Sequence, residues 1–146
     1  MDMNIAVPIS YLAVLVAAAS SVVLGFLWYG PLFGKMWMKW TGMKMPKTMT
    51  PKMKQMMMRS YGLTIVGSLV MSFVLAHALI FASAYLQITG IAAGLMTGVW
   101  NWLGFVVPIS LNSVLWEGKS WKLWALNNGY ALVALSMMGV ILAIWR

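Results

Sequence analysis

Four long apolar stretches, separated by short polar connections, organise the chain. They cover residues 5–29, 61–86, 91–115 and 125–145. A helix needs about 20 mostly apolar residues to cross the hydrocarbon core of a bilayer, and each stretch is long enough. The pattern predicts an all-α fold, a bundle of four transmembrane helices that forms a single integral-membrane domain over residues 1–146.

Composition excludes an ordinary soluble domain. Hydrophobic residues make up 62% of the chain and charged residues 8%, whereas soluble domains carry about 25% charged residues. The first stretch is interpreted as a membrane helix and not as a signal peptide, because no Lys or Arg precedes it. The absence of cysteine excludes disulfides, thiolate metal sites and cysteine nucleophiles.

The basic residues predict the orientation in the membrane. Seven of the ten lie in the first connection and two in the third, and the second connection has none: Lys35, Lys39, Lys44, Lys47, Lys52, Lys54 and Arg59; Lys119 and Lys122. Cytoplasmic loops carry the excess of Lys and Arg. We therefore expect a multi-pass cell-membrane protein with loops 30–60 and 116–124 in the cytoplasm and both termini outside.

The net charge of +8 indicates a partner of opposite charge. Anionic headgroups of the inner leaflet are favoured over nucleic acid, since each basic residue near that surface contributes about 1 kcal/mol. Six tryptophans near the predicted cytoplasmic interface fit the role of membrane anchors: Trp28, Trp37, Trp40, Trp116, Trp121 and Trp124. A homo-oligomer is also expected.

The first connection is rich in methionine, with nine of the 15 methionines between Met36 and Met58. Thioethers are ligands for copper(I), which would make this loop a copper-handling segment. The competing interpretation is an amphipathic helix over 51–59, with Thr50 as its N-cap and Pro51 in its first turn. This second interpretation explains more of the pattern, so no metal site and no cofactor are expected.

The third stretch carries the most informative polar residues. At 100° per residue one face of the predicted helix collects Gly94, Gly98, Asn101, Phe105, Pro108 and Asn112. The G-x-x-x-G spacing would let another helix approach closely. Asn101 is expected to bond across to Ser20 or Ser21 of the first helix; the alternative is that Asn101 and Asn112 line a path for a ligand or water.

His77 and Glu117 are the remaining candidate site residues. His77, the one histidine, is expected to be a neutral imidazole bonded to a neighbouring helix, with metal or haem ligation as the alternative. Glu117 is expected to pair with Lys119, with proton coupling as the alternative. No spacing typical of a hydrolase organises these groups, and the catalytic residues stay unknown.

A weak repeat relates the two halves of the chain. Leu27-Trp28-Tyr29-Gly30 ends the first stretch, and Leu115-Trp116-Glu117-Gly118 ends the third. The similarity favours two helical hairpins in parallel repeat, an arrangement that some transporters use.

Four motifs carry a resemblance to a known family. They are Gly25-Phe26-Leu27-Trp28-Tyr29-Gly30-Pro31-Leu32-Phe33-Gly34-Lys35-Met36-Trp37, Gly104-Phe105-Val106-Val107-Pro108, Trp116-Glu117-Gly118-Lys119-Ser120 and Asn127-Asn128-Gly129-Tyr130. Together they make the chain resemble the small bacterial membrane proteins grouped as domain of unknown function 1761. The resemblance implies four membrane spans and supplies no activity.

Three classes of function remain open. The pattern favours a protein that binds or passes a small or lipidic molecule, for which Asn101 and Asn112 would border a ligand or water. A structural or interaction protein would instead be tightly packed throughout. A membrane enzyme would need Glu117 and His77, or a cofactor, to converge.

Overall fold

The computed structural model describes residues 9–44, 46 and 48–145. The described residues form helices and no strand. The first half contains α1 (Tyr11–Leu27), which continues into a π-helical turn (Trp28–Leu32), α2 (Gly34–Thr41) and α3 (Pro51–Leu86). The second half contains α4 (Gly90–Asn101), a second π-helical turn (Trp102–Val106), α5 (Val107–Leu115) and α6 (Trp121–Ile144).

Four of these segments are long and apolar enough to cross a membrane, which confirms the predicted fold class. They are Tyr11–Leu32, Pro51–Leu86, Gly90–Leu115 and Trp121–Ile144. The largest difference from the sequence pattern is in α3, whose 36 residues form one helix. At 1.5 Å per residue it is about 54 Å long, about 24 Å more than a hydrocarbon core of about 30 Å. Its basic first turns therefore extend past that core.

Hydroxyl side chains begin three of the long helices. Ser10 caps α1 and Ser120 caps α6, each accepting a hydrogen bond from a backbone N–H three residues on. Thr50 accepts from the Met53 N–H at 3.3 Å, and Pro51 follows as the first residue of α3. This confirms the predicted helix start, because a capping oxygen satisfies a backbone donor that the first turn leaves free.

The core lies where α6 packs against the other long helices. Its centre is built from small and medium side chains, among them Ala17, Leu79, Ala93 and Met138, each at most 1% exposed. Each hairpin packs internally, α1 on α3 and α4 on α6, and also across to the other, α1 on α6 and α3 on α4. Two parallel hairpins would pack in this way; the sequence repeat itself stays a prediction.

Candidate functional site

Gly94 and Gly98 serve packing inside this chain. A Cβ on Gly98 would lie 2.6 Å from the Leu135 carbonyl oxygen of α6, and one on Gly94 would collide with the Gly139 carbonyl. The predicted G-x-x-x-G contact therefore exists, and its partner is α6 of the same chain. This face is not free for a second copy, so the homo-oligomer stays a prediction without its expected interface.

The polar face predicted for the third stretch does not form. The π-helical turn Trp102–Val106 interrupts the α-helix directly after Asn101. Its i→i+5 bonding makes a wider turn, so angles counted at 100° per residue fail beyond it. Phe105, Pro108 and Asn112 consequently lie on the exposed surface, while Gly94 and Gly98 are buried against α6.

Asn101 lies at the wall of a groove and not at a contact between two helices. Its Nδ2 donates to the Thr97 carbonyl of its own helix at 2.8 Å. The predicted partners are engaged elsewhere, with Ser20 donating to the Ala17 carbonyl and Ser21 to the Ala18 carbonyl. The prediction of a bond from Asn101 to α1 is therefore wrong.

Other side chains supply the hydrogen bonds between helices. Ser72 of α3 is fully buried and donates to the Val14 carbonyl of α1 at 2.9 Å. Tyr130 of α6 donates its hydroxyl to the Ser21 carbonyl of α1 at 3.0 Å. Because these bonds connect the bundle, Asn101 is not required for that purpose.

The groove beside Asn101 runs between α3 and α4 and encloses about 360 Å³. Its wall includes Ala78, Ala82 and Tyr85 from α3, and Met96, Trp100 and Asn101 from α4. The volume falls within the range of about 300–1,000 Å³ found for ligand pockets. A second groove of about 380 Å³ lies between α4 and α6, with Ser136 among its lining residues.

His77 and Glu117 do not meet. The His77 Nδ1 donates to the Phe73 carbonyl at 2.8 Å, so its partner is its own helix and not a neighbouring one as predicted. Glu117 forms the predicted ion pair with Lys119, at 2.6 Å with both side chains about half exposed. Helix rise places His77 and Glu117 about 25 Å apart along the bundle, so these two residues do not form a shared site.

A buried polar cluster at the start of α6 was not predicted from the sequence. Asn128, 3% exposed, donates from Nδ2 to the Ser110 Oγ and to the Trp124 carbonyl, both at 3.0 Å. Ser110 also accepts from the Trp124 Nε1 at 3.0 Å, and Trp102 donates to the Asn128 carbonyl. The cluster ties α5 and the π-turn to α6. The residue types alone gave no signal, since Trp124 fitted a membrane anchor equally well.

The first family motif forms an aromatic cluster at the basic end of the bundle. The ring of Tyr29 packs on that of Tyr130 at 5.2 Å, and its hydroxyl donates to the Asn127 Oδ1 at 3.0 Å. Trp28 packs on Tyr130, and a Cβ added to Gly129 would lie 3.4 Å from the ring of Trp28. Trp28 is therefore a packing residue, unlike Trp116 and Trp121, which are exposed as anchors would be.

In the described part of the chain, no three His, Cys, Asp or Glu side chains lie close enough to hold a metal ion. Methionine side chains at the start of α3, Met56 and Met58 among them, are exposed on the helix.

These features define a small multi-pass membrane protein with lateral grooves on its helical bundle. The sequence profile of DUF1761, a protein family of unknown function, matches residues 12–143, and the chain belongs to this family. Comparison with curated proteins and with solved structures gives no match.

Proposed function

We propose that this protein binds a lipidic molecule in the groove between α3 and α4. The observation that carries the proposal is an amide, Asn101, set into the wall of an otherwise largely apolar groove of about 360 Å³. A cleft with apolar walls and few polar groups is the usual form of a small-molecule site.

The ligand enters from the lipid phase. The groove lies on the side of the bundle, and Tyr85 and Trp100 at its wall are 87% and 63% exposed. In a bilayer those surfaces face acyl chains, so a molecule dissolved in the membrane reaches the groove by lateral diffusion. A water-soluble ligand would lose hydrogen bonds to water on entering the groove, and an apolar wall does not replace them.

Binding is favoured over passage across the membrane. A path along the third span would need its polar residues to face one continuous opening. Gly94 and Gly98 are closed off by α6, Asn101 borders α3, and Asn112 lies on the exposed surface beyond the π-turn. This arrangement supports a site that ends within the membrane.

The test is whether one molecule stays bound when the protein is extracted. We expect native mass spectrometry of the purified protein to show one retained lipid adduct, which Ala82→Trp removes by filling the groove. Ser136→Trp, which fills the α4/α6 groove instead, is the matched control and should keep the adduct. A wild-type protein without any retained adduct would contradict the proposal and favour a structural or interaction protein.

The orientation and the lipid partner are part of the same proposal. The first and third connections face the cytoplasm, where Lys52, Lys54 and Arg59 on the protruding part of α3 contact anionic headgroups. Both termini lie outside. The support is the charge pattern together with the length of α3.

Cysteine labelling tests this orientation cleanly, because the chain has no cysteine of its own. Lys44→Cys and Lys119→Cys should react with a membrane-impermeant maleimide only in inverted vesicles. Reaction of either cysteine in intact cells would show that the predicted orientation is wrong.

A further inference from the structure

The hydrogen-bonding capacity of Asn101 is only partly used. A primary amide has two N–H donors and a carbonyl that accepts up to two hydrogen bonds. Within the described residues Asn101 makes one bond, from Nδ2 to the Thr97 carbonyl at 2.8 Å. One N–H and the Oδ1 atom make no hydrogen bond to these residues, and the side chain lines the groove. In hydrocarbon such unpaired groups cost several kcal/mol.

The depth of Asn101 restricts what can pair with it. Asn101 ends α4, 12 residues from the start of a 26-residue span, which is about 18 Å along the helix. The hydrocarbon core is about 30 Å thick, so the amide lies near its middle. A phospholipid offers only methylene and methyl groups there, because its ester carbonyls stay at the interface.

We infer that the groove between α3 and α4 selects a lipophile that carries a carbonyl into the hydrocarbon core, the chemistry of an isoprenoid quinone. This inference rests on the proposed function and names its ligand class. The free N–H of Asn101 donates to the quinone carbonyl, and Oδ1 accepts from the hydroxyl of the reduced form. Both redox forms therefore bind, and the protein takes no part in the electron transfer.

The other groove residues fit a flat ring with an apolar tail. Trp100 presents an indole for offset stacking, and Met96 presents a thioether, which contacts ring edges favourably. The small side chains of Ala78 and Ala82 leave room on the α3 side of the groove. The groove extends along the helices to Tyr85 near the end of α3. The groove is open to the acyl chains on its side, so an isoprenoid tail can leave it into the lipid.

The α4/α6 groove provides an internal comparison. It is about as large, at about 380 Å³, and Ser136 is the polar side chain that lines it. If apolar volume alone selected the ligand, the two grooves would be equivalent. Only the α3/α4 groove combines the volume with an amide.

The experiment measures binding of a decyl-substituted 1,4-benzoquinone to the full chain in phosphatidylcholine nanodiscs, by quenching of tryptophan fluorescence. We expect saturable binding that Asn101→Leu weakens about tenfold, equivalent to about 1.4 kcal/mol. Ser136→Ala in the other groove should leave the dissociation constant unchanged. Decylbenzene, which has the same decyl tail on a six-membered ring without carbonyls, should displace the quinone only at concentrations at least tenfold above the quinone's own dissociation constant.

Two results would overturn the inference. One is an unchanged dissociation constant in Asn101→Leu; the other is displacement of the quinone by decylbenzene at concentrations near the quinone's own dissociation constant. If either occurs while the lipid adduct of the purified protein persists, the proposed function survives and the ligand class is wrong. Should Asn101→Leu fail to fold, Ala82→Trp blocks the groove from α3 with the amide intact and must abolish quinone binding.

Discussion

The contact between α4 and α6 gives the sharpest test of the fold, through the substitution Gly98→Ala. The added Cβ would lie 2.6 Å from the Leu135 carbonyl oxygen and 2.7 Å from the Ser136 Cα. Both obstacles are backbone atoms, which cannot rotate away as a side chain does. The two helices must therefore separate along the most extensive helix–helix contact of the bundle.

The expected magnitude follows from two opposing terms. Overpacking a close contact costs about 1–3 kcal/mol, and alanine regains up to about 1 kcal/mol of helix propensity over glycine. Gly98→Ala should therefore destabilise the protein by up to about 2 kcal/mol. Gly67 of α3 is the matched control, because it is exposed within a helix and a Cβ there meets nothing within 4 Å. Gly67→Ala should be neutral or slightly stabilising.

The assay is reversible unfolding in mixed detergent and dodecyl sulfate micelles, followed by tryptophan fluorescence. The measured quantity is the free energy of unfolding of each variant relative to wild type. Equal stabilities of Gly98→Ala and Gly67→Ala would refute the close approach of α4 to α6. Gly94 and Gly139 face each other across the same contact. The loss of unfolding free energy in the double alanine variant should therefore differ from the sum of the losses in the two single variants.

Two further predictions concern polar contacts. Asn128→Leu should lower the free energy of unfolding by about 0.6–1.7 kcal/mol, the range for hydrogen bonds inside membrane bundles. The reason is that it removes the bonds to Ser110 and to the Trp124 carbonyl. An unchanged stability in the same detergent titration would contradict the buried cluster. Glu117→Gln should change stability by less than about 1 kcal/mol, because its ion pair with Lys119 is half exposed; a larger loss in thermal unfolding would show that Glu117 has a role beyond this pair.

Local patterns in the sequence determined the architecture. Apolar runs of membrane length predict four spans because the bilayer fixes the length of a crossing helix. Thr50 and Pro51 mark the start of α3 because capping depends only on neighbours within one turn. The ion pair between Glu117 and Lys119 was equally predictable, since the two residues are separated by one position.

Only the tertiary structure decided how the third span is used. A periodicity argument assumes an uninterrupted α-helix, and the π-turn Trp102–Val106 breaks that assumption directly after Asn101. Trp102 in this turn is bonded to the Asn128 carbonyl, and Ser110 beyond it is bonded to the Asn128 side chain, so α6 holds both residues in place. Such long-range contacts leave no periodic trace in the sequence.

Contacts between distant parts of the chain also explain why some candidate residues have a different role from the predicted one. The sequence identified Gly94 and Gly98 as a packing pair, but the identity of the helix that packs on them depends on the bundle's arrangement, which places α6 there. It identified Asn101 as a buried amide, but whether that amide meets a helix or a groove depends on how closely α3 approaches α4. Residue type fixes the chemistry that a side chain offers, and tertiary packing decides what it faces.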